Sequence, residues 1–92
     1  MMEKSIEKLM DEIMTNPGVN GVVCTDAQGL VVAAQGVGRK STGGQMTGVL
    51  DLARDLHPDV KDEPIVCIES DAGSLLLKSC DGITIGIHKT NS

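Results

Sequence analysis

The sequence predicts a single α+β domain over residues 1–92, with two helices and five antiparallel strands in the order α-β-β-α-β-β-β. Three observations carry that expectation. Two stretches repeat apolar residues at helical spacing. Five short runs are rich in Val, Ile, Leu and other small apolar residues. Short Asp- and Gly-containing turns join the strand runs in hairpin fashion, and no repeat or linker interrupts the chain.

The elements follow in order. Met2–Thr15 carries Ile6, Leu9, Met10, Ile13 and Met14 as one apolar stripe. Glu3 and Glu7 suit the positive start of this helix, and Asn16-Pro17-Gly18 stops it. Val19–Asp26 and Leu30–Gln35 read as a hairpin around Asp26-Ala27-Gln28-Gly29, with glycine where a positive φ is needed. Gly36 to Gly44 is a glycine-rich loop. The second helix runs from Gly43 to about His57 with Met46, Val49, Leu50, Ala53 and Leu56 at helical spacing. Thr42 and Gln45 match a capping box at its start, and Pro58 ends it. Pro64–Ser70, Ser74–Ser79 and Ile83–Lys89 form the last three strands, joined at Asp71-Ala72-Gly73 and Cys80-Asp81-Gly82. Pro64 suits an edge strand because proline donates nothing to a ladder. Ile83, Ile85 and Ile87 alternate with Thr84, Gly86 and His88, giving one aliphatic face and one small or polar face.

Composition excludes several functions. The 92 residues include no Phe, Tyr or Trp, which removes stacking platforms for single-stranded nucleic acid and aromatic cages for cations. Eight Lys and Arg against thirteen Asp and Glu give a net charge of −5, which repels phosphate backbones and anionic lipid. The start of the chain carries charges where a signal peptide needs an apolar run, and no stretch is apolar enough to span a bilayer. Neither a myristoylation start nor a C-terminal prenylation box is present. The expectation is a soluble cytoplasmic chain that reaches membranes only through partners.

Candidate chemistry is sparse. Cys24, Cys67 and Cys80 fit no metal spacing and read as reduced core residues, with a zinc or catalytic role as the alternative. The Gly36–Gly44 loop lies where a phosphate cradle would, but Arg39 separates Gly38 from Lys40 and breaks the Walker spacing. An exposed basic loop is the plain reading, and anion or nucleotide binding is the weaker one. His57 suits a helix C-terminus, and His88 a surface or interface position. Asp26, Asp71 and Asp81 sit at turn starts, where they cap local N–H groups. Glu69 either guards an edge strand or orients a partner. No catalytic set, cofactor site or metal site emerges.

The second helix is the most informative surface. Its apolar positions wrap beyond one narrow stripe, and Gly48 costs roughly 1 kcal/mol against alanine inside a helix. Core packing explains the helix in one reading. In the other it also meets a partner backbone, completing the core of a small chain that has no disulfide framework.

Residues 16–30, from Asn16-Pro17-Gly18 to Gln28-Gly29-Leu30, carry a family resemblance together with Pro64–Ser74 and Cys80–Lys89. These segments resemble the hepatitis B X-interacting protein family, which supplies a roadblock-type subunit of the Ragulator complex. The resemblance covers nearly the whole chain and rests on turns and strands, so it names no active site. Val37–Gln45 departs from the family pattern, being glycine-rich and basic where that pattern is acidic.

The resemblance implies a roadblock/longin-like fold with no third C-terminal helix, which leaves one sheet face partly bare. It also implies pairing with a second roadblock subunit through the second helix and third strand. Met46, Val49, Leu50 and Ala53, with Ile65, Cys67 and Glu69, are the expected pairing residues. The implied function is a non-catalytic scaffold held with a lipid-anchored subunit on the late endosomal or lysosomal surface. There the assembly recruits Rag GTPases and supports amino-acid signalling to the TOR kinase complex. The alternative is a stand-alone GTPase-regulatory homodimer.

Overall fold

The computed structural model describes residues 2–37, 43–56, 64–80 and 82–90, with side chains except at 2–4 and 80. The elements are α1 (Met2–Met14), β1 (Val19–Thr25), β2 (Val31–Gly36), α2 (Gly43–Leu56), β3 (Ile65–Glu69), β4 (Gly73–Cys80) and β5 (Ile83–Thr90). They match the expected order, each described boundary lying within a residue of its predicted place. His57, Pro58, Asp81, Thr42 and the 59–63 connector lie outside the described residues.

All strand pairs are antiparallel, in the order β2-β1-β5-β4-β3. Two local units, the β1–β2 hairpin and the β3–β4–β5 meander, join where β1 meets β5. The turns are built as their residues suggest. At the first, Asp26 Oδ1 accepts from the amides of Gln28 at 2.9 Å and Leu30 at 3.0 Å, and Gly29 takes a φ of +90°. At the β3–β4 turn the Ser70 hydroxyl accepts from the Ala72 amide at 3.3 Å.

The helices lie on opposite faces of the sheet, an arrangement that periodicity leaves open. Successive strand residues point to opposite sides, so adjacent residues of β1 serve different layers. Val22 and Cys24 pack with Ile6, Met10 and Ile85 under α1. Val23 packs with Met46, Leu50 and Leu77 under α2. Gly21 through Thr25 are consequently all buried, as in a strand covered on both faces. The small face of β5 is not a solvent face. A Cβ on Gly86 would stand 2.6 Å from Met46 Cε, so the missing side chain admits α2.

One expectation is corrected by this layering. Cys24 is buried, and burial pushes its thiol pKa up, but Cys67 is exposed. Cys67 is not a core residue because β3 is an edge strand and α1 packs over β1 and β2 at the far side of the same face. Cys80 falls outside the described side chains.

His88 sits on the α2 face of β5, and its Nε2 is buried with no hydrogen-bond partner among the described residues. Burial lowers its pKa from 6.5. The unfolded chain therefore binds this proton at a higher pH than the folded one. The associated stability is complete above pH 6.5 and is lost as pH falls toward the folded value. Denaturation midpoints are expected to drop on acidification through this window, and His88→Gln is expected to flatten the slope. An unchanged slope in that variant would assign the pH dependence to other groups.

Candidate pairing interface

Sequence dictates two different sides of α2. Gly43, Met46 and Leu50 face the sheet and are buried. Thr47 turns toward β1, where its hydroxyl lies 3.4 Å from that of Thr25. Val49 and Ala53 are half-buried at the margin. About 100° per residue brings Gly44, Gly48 and Leu52 onto the opposite side, with Leu56 beside Leu52. Leu52 is 68% exposed and Leu56 78% exposed. A Cβ built on Gly44 or Gly48 meets no atom within 4 Å. Among the described residues nothing therefore requires glycine there, unlike at Gly43, whose Cβ would collide with the Gly29 carbonyl at 2.5 Å.

The second component is the edge of β3. The Ser70 amide donates to the Gly73 carbonyl at 2.8 Å, which marks that pair as hydrogen-bonded. Antiparallel alternation then directs the backbone groups of Ile68 and Val66 toward β4. It leaves the N–H and C=O groups of Ile65, Cys67 and Glu69 on the outer edge. Their side chains lie on the α1 face, whereas Val66 and Ile68 lie on the α2 face. Ile65 is 69% exposed, and the Cys67 thiol lies 3.8 Å from Glu69 Oε1.

The expected pairing residues are thus not brought together as one side-chain patch. Met46 and Leu50 are occupied in the chain's own core, while Val49 and Ala53 border the outer face of α2. Ile65, Cys67 and Glu69 line the edge through their backbone. Leu52, Leu56 and Ile68 are exposed apolar residues outside the expected pairing set, although Leu56 lies at the helical spacing. Their signal was Gly44 and Gly48, four residues apart and in line with Leu52. Among the described residues no group of three or more His, Cys, Asp or Glu side chains could hold a metal. No described helix is long and apolar enough to cross a membrane.

Comparison with known proteins gives this surface a context. Residues 2–89 match the family described as Ragulator complex protein LAMTOR5. A homologue of that protein from Nematostella vectensis is 44% identical, covering 99% of this chain and 100% of its own length. The Xenopus laevis Ragulator complex protein LAMTOR5 is 35% identical over the same shares. Among solved structures, a roadblock/LC7 domain from Streptomyces avermitilis superposes with a TM-score of 0.75 at 20% identity, covering 91% of this chain and 77% of that one. Myxococcus xanthus MglB superposes with a TM-score of 0.80 at 14% identity, covering 97% and 72%. At such identities these two structures speak to the fold, which is that of a roadblock domain.

Proposed function

Since the chain belongs to the family of Ragulator complex protein LAMTOR5, we propose that it is a non-catalytic scaffold subunit that works as half of a roadblock pair. The observation that carries this reading is the outer side of α2. There two glycines with open space in front of them stand in line with an exposed leucine, beside an edge strand with free backbone groups. Glycines four apart let a second helix approach closely, and exposed Leu52 and Leu56 supply apolar area to bury. The backbone of Ile65, Cys67 and Glu69 continues the sheet into the partner, and Val49, Ala53 and Ile68 flank the contact. Ile65, Cys67 and Glu69 contribute side chains on the opposite face of that joined sheet.

The partner is a second roadblock-type subunit. A lipid-anchored scaffold subunit gathers such pairs on the late endosomal or lysosomal surface, where the assembly recruits Rag GTPases and supports amino-acid signalling to the TOR kinase complex. This chain supplies packing surface to that work and no cofactor or reacting group.

The test is the mass of the purified chain in solution, alone and mixed with the other roadblock-type subunits of a Ragulator complex. A 1:1 heterodimer is expected on mixing. A tight homodimer that refuses exchange, and that alone stimulates a Rag GTPase, would favour the stand-alone regulatory reading instead. Gly48→Ala separates folding from pairing. It is expected to raise the stability of the isolated chain by about 0.5–1 kcal/mol through helix propensity, while weakening the heterodimer. Unchanged pairing in that variant would remove close approach at Gly48 from the interface.

A further inference from the structure

The edge opposite β3 is also uncovered among the described residues, and of the devices that guard such edges it carries only the register shift at Val32. β2 reads Val-Val-Ala-Ala-Gln-Gly, with no charge and no proline, whereas β3 has Pro64 before it and Glu69 within it. The Val37 amide donates to the Asn20 carbonyl at 3.0 Å, marking a hydrogen-bonded pair. Alternation turns Gln35 and Ala33 toward β1 and leaves the N–H and C=O of Ala34 on the outer edge. Val32, which the register skips between Ala33 and Val31, is 50% exposed beside it.

A groove follows this edge on the α1 face. Its larger part, about 370 Å³, is lined by Glu7, Met10, Asp11 and residues 31–35. A smaller part of about 220 Å³ lies between Ile6, Glu7, Val32 and Ala33. Gln35 Nε2 donates to Asp11 Oδ1 at 3.0 Å, which holds Asp11 at the Gln35 end. Glu7 borders Val32 and Ala33, so α1 and β2 run in the same direction and the two carboxylates are strung along the edge. One helical turn separates them by about 6 Å of rise. Alternate residues of a strand are about 6.7 Å apart.

We propose that β2 receives an extended basic segment of a partner chain as an added strand, whose Lys or Arg side chains at alternate positions meet Glu7 and Asp11. Main-chain pairing to Ala34 supplies the attachment, and the spacing of the carboxylates selects the charge pattern. A second copy of this chain is the poorer occupant. Pairing β2 with β2 would set Glu7 and Asp11 against the same acids of the other copy.

The probe is an acetylated, amidated Val-Lys-Val-Lys-Val-Lys-Val peptide, titrated into the full chain at low salt, with amide exchange followed by NMR. The peptide is expected to slow exchange at Ala34, while its Glu-for-Lys counterpart does not bind. Combined Glu7→Gln and Asp11→Asn is expected to weaken binding about tenfold. Ala34→Pro is expected to abolish binding, with β1–β5 amide protection reporting that the fold is intact. No slowing at Ala34, equal binding of the Glu peptide, or affinity unchanged by neutralising both carboxylates would each overturn the proposal. So would Ala34 protection that rises with protein concentration in the absence of peptide, which would identify a second copy as the occupant.

Discussion

Leu50→Ala is expected to cost the folded chain about 3 kcal/mol, within the range for removing a fully buried leucine. Leu50 is 1% exposed and packs with Val23, Met46 and Leu77, with no aromatic side chain nearby to collapse into the space it leaves. A domain of this size has a total stability on the order of 5–15 kcal/mol, so the loss is a large share of the whole. In thermal unfolding it corresponds to a drop of roughly 10 °C or more. Leu52→Ala, two residues along the same helix, is expected to leave the midpoint of the isolated chain nearly unchanged. Equal losses at both positions would mean that α2 is rotated from the orientation described.

Leu52→Asp reverses that contrast. The isolated chain is expected to fold with unchanged amide protection, because the side chain is exposed and touches no core. Pairing with the second roadblock subunit is expected to weaken at least a hundredfold, as a charge carried into an apolar helix contact must be desolvated without a counter-ion. Size-exclusion chromatography of the mixed subunits with light scattering reads this directly. Stoichiometric pairing by the Leu52→Asp chain would place the interface elsewhere. A charge at Leu50 is the less useful probe of pairing, since it would disrupt the fold first.

Local chemistry made much of the fold legible in the sequence. Asp26 and Gly29 specify their turn through bonds spanning no more than four residues, so the hairpin they close could be read without knowing its surroundings. Asn16 likewise announces the end of α1, where its side-chain amide donates to the Glu12 and Ile13 carbonyls. The orientation of α2 was harder to read because Leu50 and Leu52 are equally apolar and lie on different sides. Helical spacing picks out Leu50 and also Leu56, and only the sheet beneath decides that Leu50 is core and Leu56 exposed. Cys67 illustrates the same limit. Its run Ile65-Val66-Cys67-Ile68 is as apolar as a central strand, and nothing local indicates that α1 ends its cover short of β3. The family resemblance supplied the idea of pairing. The positions proposed for it depend on long-range register, which no window of the sequence contains.

The seam between β1 and β5 has a consequence for biogenesis. β1 ends at Thr25, yet the strand that completes its second side begins at Ile83. At typical synthesis speeds the intervening residues take several seconds to make. Through that interval Val22, Val23 and Cys24 can acquire β2 and α1 but not β5, and a nascent strand edge of this kind is adhesive. The chain is therefore exposed to misassembly on the ribosome, before its final strand is made. Holding factors that bind short aliphatic strands would matter most in that interval.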